Sequence, residues 1–231
     1  MMEAATLPSS KEESTVTIRI GTNDYLVDVT RMPYFESYIR FQQSTGQNTT
    51  AVVTHDDLPF FDIINDGVTN GFRQFFRKMP TQLDDYHVLC ETLEFLCVDV
   101  VSNRNLHDIM KDLRTGKMDW DPEERRDVTF RSLARDSAFR LLYLFLLGDF
   151  NSEVKDTNAA YNAALFVVSH RAIFKLKARK MVREAFEERF DISDKQLKEL
   201  NKWTIDSSFS EEEEDVTTAA EDTDFGSDWS Y

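Results

Sequence analysis

The chain has 231 residues, 41% of them apolar, enough for one substantial core or two small ones and hence for one or two domains. Only seven glycines and five prolines exclude a low-complexity polymer, while eighteen phenylalanines supply the large side chains that dominate cores and interfaces. The formal charge of −15 is concentrated: residues 206–231 hold ten acids and no Lys or Arg, which leaves −5 on residues 1–205. A nucleic-acid surface, which needs clustered cations, is therefore not expected.

Residues 1–14 are small, polar and charged and are expected to be disordered, with neither the basic start nor the apolar run of a secretory signal. From Val16 the apolar residues alternate, Gly21-Thr22-Asn23-Asp24 supplies turn chemistry, and Tyr25-Leu26-Val27-Asp28-Val29 alternates again, which predicts a β-hairpin. Pro33, whose fixed φ suits a first turn, opens a helix over about 33–41 carrying Phe35, Tyr38, Ile39 and Phe41. After a polar loop, Ala51-Val52-Val53 and Phe60-Phe61-Asp62-Ile63-Ile64 read as short strands of a small sheet. Phe72, Phe75, Phe76 and Met79 mark one helical face ending at Pro80. The next helix starts near Asp84, a candidate cap, and runs through Tyr86, Leu89, Cys90, Leu93 and Leu96 toward Asp99.

Cys90 and Cys97 fall in that helix, where seven residues separate them by about 10.5 Å along the axis. A disulfide needs Cα atoms within about 7 Å, so two buried thiols and a reducing compartment are expected.

Beyond Val101 the pattern is helical without strand signals, and a boundary is expected between Val101 and Asp121. Residues 105–114 read as a short helix. Asp121-Pro122-Glu123-Glu124 reads as the start of a long one, its stripe running Phe130, Leu133, Ala138, Leu141, Leu142 and Phe145 to a stop at Gly148. A further long helix from about 157 carries Tyr161, Ala164, Leu165, Val168, Phe174, Ala178, Met181 and Ala185. Ser193-Asp194-Lys195-Gln196 has the spacing of a capping box for a last helix to about Trp203. No apolar stretch approaches the roughly 20 residues that cross a bilayer, so no membrane association is expected and the compartment is read as cytoplasmic and/or nuclear.

Ile18-Arg19-Ile20-Gly21 through Tyr25-Leu26-Val27-Asp28-Val29 to Pro33-Tyr34-Phe35-Glu36-Ser37-Tyr38-Ile39 resembles the opening of the BTB/POZ domain. Phe72-Arg73-Gln74-Phe75-Phe76-Arg77 resembles the helix near that domain's middle, and the run from Asp85-Tyr86-His87-Val88-Leu89 to Val98-Asp99 resembles the helix that follows. Phe60-Phe61-Asp62 is similar to a motif of the potassium-channel tetramerisation branch. Gly21-Thr22 stands where that branch has paired glycines, and Asp28 where the main branch has His.

The resemblance spans residues 14–101 and implies an adaptor that self-associates through its first helix and N-terminal strand, with Tyr34, Phe35, Tyr38 and Ile39 as contacts. It further implies a partner contact at Phe72, Gln74, Phe75 and Phe76. Relatives that recruit a cullin for ubiquitin ligation use an apolar residue followed two positions later by Glu. Those positions are Phe72 and Gln74 here, and Gln cannot supply the carboxylate.

The remaining chemistry-bearing residues read blandly. His55, His87, His107 and His170 lack zinc spacing, so no metal is expected. Glu91 with Glu94, and Asp84 with Asp85, read as solvated helix faces, and neither a phosphate-cradling glycine loop nor a nucleophile elbow occurs. No catalytic residue, cofactor or enzymatic activity is expected. Phe60, Phe61, Phe72, Phe75 and Phe76 form either core or a partly exposed binding face. Lys175, Lys177, Arg179, Lys180 and Arg183 read as a solvated helix face, or as a patch for a partner's acids or the chain's own acidic tail. In that tail Ser208 and Ser210 each precede an acid by three residues, which makes them candidate phosphorylation sites.

The expectation is an α+β fold: a disordered segment 1–14, a BTB/POZ-like unit at 15–102, a helical region at 103–204 and a disordered acidic tail at 205–231. The expected function is a non-enzymatic module that pairs with itself and recruits another protein. A cullin-ligase adaptor and a transcriptional regulator acting through the acidic aromatic tail are the alternatives.

Overall fold

Six residues of alternating character make each of the first two strands, β1 (Thr15–Ile20) and β2 (Asn23–Asp28), which pair antiparallel with Thr17 opposite Leu26 and Ile18 opposite Tyr25. The computed structural model describes residues 15–45, 53–118, 128–147 and 157–203. Gly21 takes the positive φ, 57°, that opens the two-residue turn, and its N–H donates to the His55 carbonyl at 3.1 Å. Ile18, Ile20 and Val27 face the core, while Leu26 is left 63% exposed on the outer face.

Helix α1 (Pro33–Ser44) begins on the proline as expected and crosses to β3 (Val53–His55), which lies parallel to β1. The sheet order is β2-β1-β3, so both outer strands have an edge to satisfy. Tyr38 answers one by donating to the Thr54 carbonyl at 2.8 Å, and Asn65 the other by donating to the Leu26 carbonyl at 3.3 Å.

Residues 60–64 are not a strand. Phe61 begins α2 (Phe61–Asn70), with Phe60 preceding it at a left-handed φ of 58°, and Phe61, Ile63, Ile64, Gly67 and Val68 turn inward at helical spacing. A run of five apolar-rich residues fits either period, and the inward positions at Gly67 and Val68, one turn further on, decide for the helix.

The phenylalanine segment is a 3-10 turn (Phe72–Gln74) running into a single turn of helix, α3 (Phe75–Lys78). The next helix, α4 (Leu83–Phe95), starts after Gln82 without a side-chain cap, placing Asp84 and Asp85 in its first turn instead. It ends before Cys97, whose φ is 56°, so the two cysteines do not share a helix. Both are free thiols; Cys90 is buried as expected, but Cys97 is exposed. Burial pushes the Cys90 thiol far above its usual range, with the Glu91 charge adding to the effect.

Helices α5 (Leu106–Met118) and α6 (Val128–Leu147) pack along each other. The expected start at Asp121-Pro122 and stop at Gly148 lie outside the described residues. The single long helix expected from 157 is two, α7 (Thr157–Ser169) and α8 (Leu176–Arg189). Between them the chain turns on the His170 carbonyl, which accepts from Ile173 and Phe174 at 3.2 and 3.0 Å, and both of those side chains are buried. Helix α9 (Asp194–Asn201) is capped as its sequence predicts, by Ser193 and Gln196 in a reciprocal box.

The described residues are thus mostly helical with one small sheet, in keeping with the α+β class. Their buried side chains form one continuous apolar cluster, from Ile18 in β1 to Leu200 in α9. No helix among them is long and apolar enough to cross a membrane.

Candidate interaction site

The four α1 residues implied as self-association contacts do not share one environment. Phe35 is fully buried, with ring contacts to Phe61 at 5.8 Å and His55 at 5.8 Å, so it belongs to the core and cannot touch a second chain in this fold. Ile39 is half-buried beside it. Tyr34 and Tyr38 stand on the other flank, half-buried and stacked at 5.9 Å. Spacing of three and four residues then brings Phe41, 61% exposed, onto the same face as these two tyrosines.

The tyrosines are held by polar contacts beneath. The Tyr34 hydroxyl lies 2.7 Å from His55 Nε2, and His55 Nδ1 lies 2.8 Å from the Asp56 carbonyl. Since that carbonyl can only accept, Nδ1 carries the proton in the neutral ring and Tyr34 donates to Nε2. Burial, with the neighbouring Tyr38 and Asp56 charges, raises the Tyr34 pKa and keeps the hydroxyl protonated for that role. Gln42 donates to the Tyr38 oxygen from one turn further along α1.

Phe95, the last residue of α4, completes the patch. Its ring lies 4.5 Å from that of Tyr34 while 49% of the residue remains in solvent. Val88, two turns back on the same helix and 37% exposed, continues the apolar surface along α4. Neither residue stood out in the sequence, although both lie off the inward stripe of Tyr86, Leu89, Cys90, Leu93 and Leu96. A large apolar residue out of phase with its helix is the signal that marks them.

The second implied contact is internal. Phe72, Phe75 and Phe76 are 6%, 1% and 7% exposed, packed beneath α6, where Phe139 stacks on Phe75 at 4.4 Å and lies 5.3 Å from Phe72. Asp136 accepts from the Phe72 N–H at 2.7 Å and from Arg140 Nε at 2.9 Å, and the Arg140 guanidinium sits 5.3 Å over the Phe72 ring. Arg140 also reaches the Val100 carbonyl and the Ser102 hydroxyl, so one buried cation ties α6 to the loop after α4. These phenylalanines are core, the first of their two readings; only Gln74 keeps partial exposure. Ser208 and Ser210 lie outside the described residues.

Among the described residues no group of three His, Cys, Asp or Glu is placed to hold a metal ion. His87 meets Glu91 at 3.9 Å across one helical turn, and His170 stacks on Phe166 at 4.1 Å. Compared with known proteins, the chain matches no family model, and no curated protein or solved structure is significantly similar to it.

Proposed function

We propose that this protein is a non-enzymatic interaction module of BTB/POZ type that associates with a second copy of itself through the outer face of α1 and presents other surface to a further protein. The observation that carries the reading is the aromatic strip Phe95, Tyr34, Tyr38 and Phe41, which joins the end of α4 to the length of α1 and leaves Phe41 61% and Phe95 49% in water. Exposed rings on adjoining helices cost free energy that burial against a matching surface recovers, at roughly 25 cal/mol for each Å² removed from water. A two-fold axis through α1 lays the strip on its own copy, the isologous arrangement most dimers adopt.

The order of a hairpin followed by a helix supports the BTB/POZ reading, because it is the order on which the opening of the resemblance rests. A cullin contact at Phe72 and Gln74 is not part of the proposal, since Phe72 is already covered by Phe139 and Arg140. The free thiols at Cys90 and Cys97 are in keeping with work in the cytoplasm or nucleus.

Sedimentation of the full chain across micromolar concentrations tests the reading. The expected particle is a dimer or larger that Phe41→Glu and Phe95→Glu each drive to the monomer. Both side chains are exposed, so neither change disturbs the core. A wild-type chain that stays monomeric over the whole range overturns it.

A further inference from the structure

Between Arg171 and Arg183 the chain carries six cations and no acid, while the acids of α8 (Glu184, Glu187 and Glu188) all come later. That order runs against the helix dipole, which favours acids in the first turn, and α8 has none there. Lys177, Lys180 and Arg183 follow at intervals of three and form one ridge along the helix surface. Lys180 meets Glu184 at 3.7 Å in an exposed pair of a kind that contributes little, while the half-buried Arg183 meets Glu187 at 2.7 Å.

The ridge ends where the chain departs. Arg183 Nη2 donates to Asn201 Oδ1 at 2.7 Å, which pins the last turn of α9 beside α8 two residues before Trp203, the last residue described. Beyond lie the ten acids of residues 206–231, five of them consecutive at Glu211–Asp215. Glu211 lies eight positions beyond Trp203, a stretch that can span about 26 Å, whereas Lys177 to Arg183 occupies about 9 Å of helix axis. The acidic run therefore reaches every cation of the ridge.

We propose that Glu211–Asp215 docks on the Lys177–Lys180–Arg183 ridge of α8 within the same chain, forming an electrostatic clasp. The clasp sets a run of acids beside the cations that oppose the dipole and confines the most acidic part of the chain to one face.

Paramagnetic broadening in the full chain tests it. A nitroxide is attached at Thr217→Cys in a Cys97→Ser background, Cys90 being buried, and amide intensities are read at about 0.02 M and about 0.5 M sodium chloride, on either side of the range over which exposed charges are screened. The expected result is loss of intensity at Lys177–Arg183 but not along α1 in low salt, recovered in high salt and in the variant Glu211→Gln, Glu212→Gln, Glu213→Gln, Glu214→Gln, Asp215→Asn. That variant alters only residues beyond the described fold. Loss centred on another surface, loss that survives neutralisation, or loss seen only between separately labelled chains overturns the proposal.

Discussion

At Gly67 a hydrogen is the largest group that α2 can carry, because a Cβ built there would overlap the ring of Phe75. That ring is 1% exposed and stacked on Phe139, so it has no free direction in which to move. Gly67→Ala is expected to cost about 1–3 kcal/mol despite its helix-favouring side chain, since overpacking outweighs propensity. A lower urea midpoint at unchanged slope checks it. Asp66 next door poses an electrostatic question. Its carboxylate accepts from Lys78, and Asn70 donates to it at 2.8 Å, contacts that hold its pKa below the usual aspartate range against a smaller opposing effect of burial. A carboxylate with a depressed folded pKa stabilises the fold above its unfolded value, about 4, and that contribution is lost as the pH falls through the folded value. Lys78→Met is therefore expected to be less stable than the wild type at pH 7, with the gap closing below about pH 4. Thermal melts at both pH values read the difference.

Helix ends show most clearly which signals are local. The reciprocal box at Ser193 and Gln196 needs four consecutive residues and nothing else, and it forms as the spacing predicts, with the Ser193 N–H donating to Gln196 Oε1 at 3.1 Å. Ser193→Ala is expected to cost about 1 kcal/mol, because one first-turn N–H loses its acceptor; amide exchange in α9 that accelerates ahead of exchange in α8 checks it. The hairpin and the start of α1 were legible for the same reason, each resting on a turn residue or a proline. By contrast, the break between α7 and α8 has neither glycine nor proline to announce it. It is held by the burial of Ile173 and Phe174, whose apolar spacing continues the helical stripe on either side. The Phe60–Ile64 segment is too short for its period to tell helix from strand, and the end of α4 carries no breaker to set Cys97 outside it. In the candidate site, the tyrosines of α1 were legible from helical spacing. The exposure of Phe95 and the covering of Phe72, Phe75 and Phe76 were not, since both depend on where a distant helix lands.

That distant helix decides how the whole molecule behaves. Whether the stretch between Val101 and Asp121 separates two units is read by unfolding, because along this seam Phe139 of α6 touches Phe72, Phe75 and Phe76 at once, and Asp136 and Arg140 bind backbone groups at Phe72 and Val100. Apolar burial runs without interruption from the sheet to α9. Where such a core is shared, neither half can expose its own surface without stripping the other's, which is the physical basis of a single cooperative transition. Helical signal by circular dichroism and tryptophan emission, with Trp203 reporting on the far end of the fold, are expected to lose structure along superimposable urea curves. Phe139→Ala removes the ring at the centre of the seam and is expected to cost about 3–5 kcal/mol. If the halves are coupled as the seam requires, the variant shifts both curves by the same amount; a shift in one signal alone, or a second transition in the wild type, would show that the α6 contacts do not join them.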